Sequence, residues 1–272
     1  MIKSFFFIPG NHPKIFEKAE TIKSNEIIID LEDAVNANDI KKSLDNISLL
    51  KKRKYYFFRP NIFNNGIFNK TILLSLMKLG VKKFIIPKFK TIKDLKKIEK
   101  LIEKKDKKKF QFILLIENPN SLFSLKEILK KTKLNIYGIA FGSHDYCAEI
   151  NMEHKLDLLH YPRFTIVSLA KMFNLVSIDI ASMEIDNTTA FKKEVDSANA
   201  YGFNGKFIIH PKQLSLLKNS NQKRINEAIE IIKIYNQKNK PTIFKYKGRV
   251  IEPPHIKQYS NLINNSKHDE SK

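Results

Sequence analysis

Cysteine is nearly absent from this chain of 272 residues: Cys147 stands alone. One thiol excludes a disulfide framework and a cysteine-based zinc site within a single chain. Long apolar stretches are missing too. The longest runs, such as Phe5–Pro9 and Phe112–Ile116, fall far short of the ~18 residues that cross a bilayer. The N-terminus lacks the shape of a signal peptide, because its apolar stretch begins almost at once and stops at Pro9–Gly10. The expectation is a soluble protein of a reducing compartment, the cytoplasm, without a membrane partner. No G-x-G-x-x-G follows the first apolar run and no Walker A motif occurs, which weighs against a doubly wound nucleotide-binding sheet.

Arginine is scarce. Five of the 49 basic residues are Arg (Arg53, Arg59, Arg163, Arg224, Arg249) and the other 44 are Lys; with 28 acidic residues the net charge is +21. Such a charge raises nucleic-acid binding. The lysines, however, are spread along the polar faces of helical patterns, and no zinc-finger spacing accompanies them. The aromatics are mostly Phe inside apolar runs rather than a surface stacking ladder. Abundant Lys, Ile and Asn with only 8 Gly read as the bias of a proteome, and nucleic acid is not expected as the main partner. A positive field still favours anionic small molecules. With 42% hydrophobic residues, the chain can build one large α/β domain or two small ones.

Apolar runs recur at a steady beat: Ser4–Pro9, Glu26–Leu31, Tyr55–Arg59, Phe84–Pro87, Phe110–Ile116, Ile136–Phe141, Val176–Ile180 and Gly205–Ile209. The spacing is about 29 residues, close to the ~30 of a βαβ unit. The runs are continuous rather than alternating, as in strands buried on both faces. Between them lie helical patterns over 13–22, 39–52, 70–79, 92–104, 120–131, 162–174 and 188–201, and a last one over 222–238. Lys104–Lys109 reads as a solvated connection. Eight strands each followed by a helix make a (β/α)8 TIM barrel over residues 1–240. Residues 241–272 form a C-terminal segment: a strand or loop around Lys245–Pro254, a short helix over 255–263, and a polar tail expected to be disordered.

In such a barrel the site lies at the C-terminal ends of the strands. Those ends carry Pro9–Gly10–Asn11, Asp30-Leu31-Glu32-Asp33, Arg59-Pro60-Asn61, Pro87–Lys88, Glu117–Asn118, Phe141-Gly142-Ser143-His144-Asp145, Asp179 and His210–Pro211. Asp30, Glu32, Asp33, Glu117 and Asp145 would crowd one mouth, and like charges that close need a neutralising partner. A hard divalent cation, Mg²⁺ or Mn²⁺, suits oxygen ligands. Arg59 is the second candidate, because a planar guanidinium suits bidentate recognition of a carboxylate. Each piece has a structural alternative. The Asp30–Asp33 cluster could cap a helix. Asp179 reads as a structural partner, and His210 and His144 as satisfied structural histidines. Cys147 reads as a small buried hydrophobe.

In order along nearly the whole chain, the segment Phe5–Lys14, Asp30-Leu31-Glu32-Asp33-Ala34-Val35, Arg59-Pro60-Asn61, Pro87-Lys88, Ile116-Glu117, Phe141-Gly142 with Asp145, and Gly202–Lys206 through Ile209–Gln213 resemble the citrate lyase β-subunit-like family. That family includes malyl-CoA and citramalyl-CoA lyases within the HpcH/HpaI aldolase group. The resemblance implies a (β/α)8 barrel and a Mg²⁺-dependent carbon–carbon lyase. The metal would be held by Glu117 and Asp145. Arg59 would grip the carboxylate of a 2-oxo acid or its hydroxyacyl adduct, with Glu32 and Asp33 orienting Arg59 and the metal's surroundings. Lys14 would meet the CoA phosphates, and the backbone around Gly142–Ser143 would face the substrate.

The chain departs from the family's pattern in one place. The family's C-terminal segment supplies a catalytic Asp followed by Pro, placed over a neighbouring subunit's site. The matching stretch here is Gly248-Arg249-Val250-Ile251-Glu252-Pro253-Pro254, so the acid is Glu252, one methylene longer. A lid acting on a neighbour implies a homo-oligomer, with a trimer expected. The resemblance leaves the acyl group open: a short 3-hydroxyacyl-CoA such as malyl-CoA or citramalyl-CoA, a citryl thioester of an acyl carrier protein, or hydrolysis of malyl-CoA by the same site. A different class, a non-catalytic anion- or RNA-binding barrel, is opposed by the set Arg59, Glu117 and Asp145.

Overall fold

The eight apolar runs become eight parallel strands in the computed structural model, which describes residues 1–64, 66–103 and 107–270. They are β1 (Lys3–Pro9), β2 (Glu26–Leu31), β3 (Phe57–Pro60), β4 (Lys83–Ile86), β5 (Gln111–Ile116), β6 (Ile136–Phe141), β7 (Val176–Asp179) and β8 (Gly205–Ile208). Each pairs with its neighbours in sequence, and β1 pairs with β8, so the sheet closes into a barrel. The (β/α)8 reading holds. β3 starts two residues later than its apolar run, because Arg53–Tyr55 form a 3₁₀ turn instead.

Successive strand residues face opposite sides. One set points inward: Phe5, Ile28, Phe57, Ile85, Ile113, Leu115, Ala140, Ile178 and Phe207 form a single buried cluster to which all eight strands contribute. Burying such side chains contributes roughly 1.5–3 kcal/mol each. The barrel has little slack. A Cβ on Gly205 would lie 2.5 Å from the Phe5 ring, so glycine there gives Phe5 its room.

Helices cover the outer face: α1 (Ile15–Thr21), α2 (Ile40–Leu49), α3 (Lys70–Lys78), α4 (Ile92–Leu101), α5 (Pro119–Lys131), α6 (Ser143–Glu149), α7 (His160–Met172) and α8 (Thr188–Tyr201). Their ends follow capping chemistry. Asn118 accepts from the Ser121 N–H and is followed by Pro119 at the first turn. Asn187 caps α8, which ends at Gly202 with φ +87°. Two features were not expected: the short helix α6, and a hairpin pairing Phe63–Asn64 with Ile67–Phe68. The α4 pattern extends to Lys104, and Lys104–Asp106 lie outside the described residues; Lys107–Lys109 form a 3₁₀ turn.

The chain divides into two compact units, Lys3–Leu214 and Met1–Ile2 with Ser215–Lys272. The last helical pattern forms α9, which begins at Pro211, not at Gln222, and runs unbroken to Gln237. No glycine or proline interrupts the stretch after Pro211. In the C-terminal unit, β9 (Phe244–Tyr246) and β10 (Arg249–Ile251) pair antiparallel. Lys247 (φ 46°) and Gly248 (φ 80°) turn between them, the pair of left-handed residues that a tight two-residue hairpin demands. Ile231, Phe244, Tyr246 and Ile251 form its core. The final helix, α10 (Pro253–Glu270), continues past residue 263 into the tail expected to be disordered, whose last two residues, Ser271 and Lys272, lie outside the described residues.

Candidate functional site

The inward period of two carries over from core to rim. On β2 it runs Ile28, Asp30, Glu32; on β3, Phe57, Arg59; on β5, Ile113, Leu115, Glu117; on β6, Ala140, Gly142. Apolar positions fill the barrel, and the next inward positions are polar. They open on a cavity of about 480 Å³ whose lining includes Asp30, Asp33, Arg59, Glu117, Gly142, Ser143, His144 and Asp145. Every lining residue belongs to the unit Lys3–Leu214.

Register sets the central ion pair. Asp30 and Arg59 are direct partners across β2 and β3. Arg59 donates from Nε to Asp30 Oδ1 and from Nη2 to Asp30 Oδ2, both at 2.7 Å. Its Nη1 lies 3.3 Å from Glu32 and 3.1 Å from Asp33. The guanidinium rests 5.0 Å from the centre of the Phe7 ring. Its bidentate edge is therefore occupied by the protein's own Asp30. Of five N–H donors, the second on Nη2 has no assigned acceptor.

Lys88 is the residue that sequence reasoning left without a role. Its ammonium lies 3.0 Å from Glu32 and 3.2 Å from Asp33, and its backbone N–H donates to Glu117 Oε2 at 2.7 Å. Its φ is +53°, an uncommon region for a non-glycine residue, costing on the order of 1 kcal/mol or more. That conformation aims the N–H at Glu117. The only sequence signal was its place beside Pro87 at a strand end.

The carboxylates outnumber the cations. Burial pushes Glu32 up to about 7, Asp33 adds to this, and Arg59 and Lys88 oppose it. The Glu32 oxygens sit at ion-pair distance from both cations but make no directed hydrogen bond. Burial likewise raises Glu117 well above the usual carboxylate range, helped by Glu32 and Asp145 and opposed by the Lys88 N–H and Arg59. Burial works against the charge of Arg59 and of Lys88, yet the surrounding carboxylates hold both above their ordinary values.

Glu117 Oε1 is buried and has no hydrogen-bond partner. Register brings β5 beside β6, and the Gly142 N–H donates to Ile116 O at 2.9 Å. A Cβ on Gly142 would lie 2.4 Å from Glu117 Cγ. Only glycine lets this carboxylate stand there.

Beyond Gly142, the Ser143 hydroxyl and His154 Nε2 are 2.8 Å apart. The His144 and His154 rings stack with centroids 3.8 Å apart and planes 9° from parallel. His154 is drawn below its ordinary value by burial first and by His144 second. Among the described residues, no group of three or more His, Cys, Asp or Glu is arranged to hold a metal ion.

Lys14 is exposed, 3.9 Å from Glu17, and Glu252 belongs to the C-terminal unit, exposed, its N–H donating to His255 Nδ1. Asp179 is the buried partner of Arg163. His210 Nδ1 accepts from the Lys212 N–H. Cys147 is buried.

A closed parallel barrel with a carboxylate-rich mouth at the C-terminal ends of its strands defines a (β/α)8 protein with an enzyme-like site. Residues 3–211 match the HpcH/HpaI aldolase/citrate lyase family, and the chain belongs to it. It is 24% identical to the mitochondrial citramalyl-CoA lyase of Homo sapiens, over 96% of this chain and 84% of the relative. It is 25% identical to the citrate lyase subunit beta of Haemophilus influenzae, over 97% of each. Its fold is similar to the crystal structure of the protein CitE from Mycobacterium tuberculosis in complex with magnesium, acetoacetate and coenzyme A. That likeness has a TM-score of 0.78 and 18% identity, over 97% of each chain.

Proposed function

We propose that this chain is a Mg²⁺-dependent carbon–carbon lyase that cleaves a short 3-hydroxyacyl-CoA, such as malyl-CoA or citramalyl-CoA, into acetyl-CoA and a 2-oxo acid. The observation that carries the reading is the mouth itself: Glu117 just past β5 and Asp145 in α6 just past β6 line one cavity, with Glu117 Oε1 buried and unpartnered. Relatives named citramalyl-CoA lyase and citrate lyase subunit beta support it. So does the magnesium and coenzyme A complex of a protein of the same fold.

The residues fit Mg²⁺. An orphaned carboxylate oxygen, kept charged only at a cost, is relieved by a cation. One or two carboxylates, with water and substrate oxygens completing the shell, suit this ion. When bound there, it supplies charge stabilisation of several kcal/mol at the oxygen that becomes a carbonyl. The chain's own groups do the rest. Asp30, Glu32 and Asp33 hold the Arg59 guanidinium in one orientation, leaving its free Nη2–H for the substrate carboxylate. Lys88 fixes Glu117 through its backbone and steadies Glu32 through its ammonium. The bond that breaks joins the hydroxyl-bearing carbon to the carbon beside the thioester. The hydroxyl proton leaves to a carboxylate, and the electron pair passes to the thioester enolate, which is then protonated. Glu252 is the proposed acid/base, carried by the C-terminal segment of a neighbouring subunit in a homotrimer. Lys14 is the proposed phosphate contact of CoA, and the cytoplasm the proposed location. Glu252→Gln should lower turnover while leaving metal affinity alone, and a fully active monomer would overturn the trimer.

Hydrolysis of the same thioester is the second reading. It is favoured by Ser143, whose hydroxyl is within hydrogen-bond reach of an imidazole kept neutral by burial. A mass-spectrometric panel separates these readings: malyl-CoA, citramalyl-CoA and citryl-CoA, each with Mg²⁺ and with EDTA. Mg²⁺-dependent acetyl-CoA with glyoxylate or pyruvate supports the lyase. Free CoA with an intact hydroxy acid supports hydrolysis. Silence across the panel, with activity appearing on a citryl thioester of a carrier protein, moves the reading to a citrate lyase β-subunit.

A further inference from the structure

Around the mouth, the ionisable groups gather on one arc. Asp30, Arg59 and Glu117 stand at the ends of β2, β3 and β5, and Asp145 in α6 after β6, with Ala34, Leu115 and Phe141 among them. The remaining arc, from β7 through β8 to β1, lines the same cavity with Ala181, Met183, Phe207, Ile209, Phe7 and Pro9. The loop after β7 supplies the first two, and the chain invests buried polar groups in holding it. Lys206 is fully buried and donates to Ile180 O and to Glu194 Oε2, each at 3.0 Å. Glu194 Oε1 accepts from the Ser182 hydroxyl at 2.9 Å. Gln213, also fully buried, donates to Ser182 O at 2.9 Å and Glu184 O at 3.2 Å, and accepts from the Ile209 N–H at 3.1 Å. These are the residues of the Gly202–Lys206 and Ile209–Gln213 motifs, which the proposed chemistry leaves unused.

A buried ammonium is costly unless fully paired. Here its partners are a loop carbonyl and the carboxylate that holds the loop's serine. The expense fixes the backbone on both sides of Ala181 and just before Met183. Met183 itself is 57% exposed, an apolar, adaptable side chain standing at a cavity mouth. Opposite the ionisable arc, it suits the uncharged part of what binds there.

We infer that Ala181 and Met183 form the wall that selects the acyl group, with Lys206, Glu194 and Gln213 as positioning residues that hold this wall in place. The inference rests on the proposed lyase reading. The small Ala181 beside an apolar Met suits a methyl on the hydroxyl-bearing carbon over hydrogen. One methylene in such a pocket discriminates about 10- to 200-fold.

The test is the ratio of kcat/KM for citramalyl-CoA to that for malyl-CoA, measured side by side with Mg²⁺. Partial unfolding lowers both terms equally and leaves the ratio unmoved. The expected wild-type ratio exceeds ~10. Met183→Ala, at a half-exposed position, should lower it at least ~5-fold. Gln213→Leu and the charge-neutral pair K206M with E194Q should lower it also. A wild type that prefers malyl-CoA, or a ratio unchanged in active Met183→Ala, overturns the inference and leaves the lyase reading standing. A wild type inactive on both substrates overturns the lyase reading, and this one with it.

Discussion

The described residues include two bidentate Arg–Asp pairs, one fully buried and one at the barrel mouth, and they are opposites. Outside the barrel's interior, Arg163 meets Asp179 at 3.0 and 2.9 Å, with both side chains fully buried. A third bond goes to the Ser197 hydroxyl, and the rings of Tyr201 and Phe203 lie 4.5 and 5.6 Å from the guanidinium. One positive charge faces one negative charge, and nothing is left over. At the mouth, Arg59 meets Asp30 with the same fork, but Glu32, Asp33, Glu117 and Asp145 crowd the same region, with Lys88 as a second cation. The balanced pair is structural and the unbalanced one belongs to a site. Surplus charge and an orphaned oxygen, not the ion pair, mark the place where a ligand belongs.

Removing one partner of the balanced pair should have the largest effect on the fold. Arg163→Met leaves Asp179 buried alone and should cost about 3–5 kcal/mol, read by urea denaturation. Arg163→Met combined with Asp179→Leu should recover most of that loss, because well-packed apolar groups replace a satisfied pair at little cost. A double variant as unstable as the single one would make the pair more than structural.

At the mouth the same logic inverts. Glu117→Gln should lower Mg²⁺-dependent turnover by about 10³-fold, roughly 4 kcal/mol, with the melting temperature unchanged or higher, since one of several like charges is gone. Normal turnover would remove Glu117 from the metal site.

A pH titration sharpens the contrast. Glu32 sits at about 7 in the folded chain and near its ordinary value when unfolded. Between these values the folded state holds the extra proton, so metal-free stability should fall as pH rises from about 4.5 through 7. The loss is on the order of 3 kcal/mol. Glu32→Gln should flatten that slope; a slope that survives the substitution would mean another group carries it.

The smallest effect is expected from Arg59→Lys. A single ammonium cannot keep the Asp30 fork and still offer a donor outward. The KM should rise about 10-fold, or ~1.4 kcal/mol, with stability little changed. An unaltered KM would reduce Arg59 to a purely structural partner, like Arg163.

Much of this was legible beforehand. Continuous apolar runs at a 29-residue beat make parallel strands joined by helices, eight of them suit a closed barrel over an open doubly wound sheet, and their polar last residues gather at one rim. Arg59 and five carboxylates could be named from that rim; singling out Glu117 and Asp145 among them rested on the family resemblance. Arg163 could not be told from Arg59 by type, and its role followed only from Asp179, already read as a structural partner. Lys88 was hidden, because a positive φ in a lysine leaves no trace in composition or periodicity. The His144–His154 stack was hidden as well, since ten residues separate the two and no metal spacing links them.

Local pattern determined what the chain itself dictates: strand count, the face each side chain takes, and the chemical types delivered to the mouth. A period of two fixes faces without reference to anything distant. What the tertiary structure alone decided was who pairs with whom. The β2–β3 register gave Arg59's fork to Asp30, and the close approach of β5 to β6 reserved Gly142 for Glu117. Packing buried Glu32 and Glu117 beside each other and raised both above the usual carboxylate range. Charge balance in a buried site is a sum over strands far apart in sequence, and only closing the barrel performs that sum.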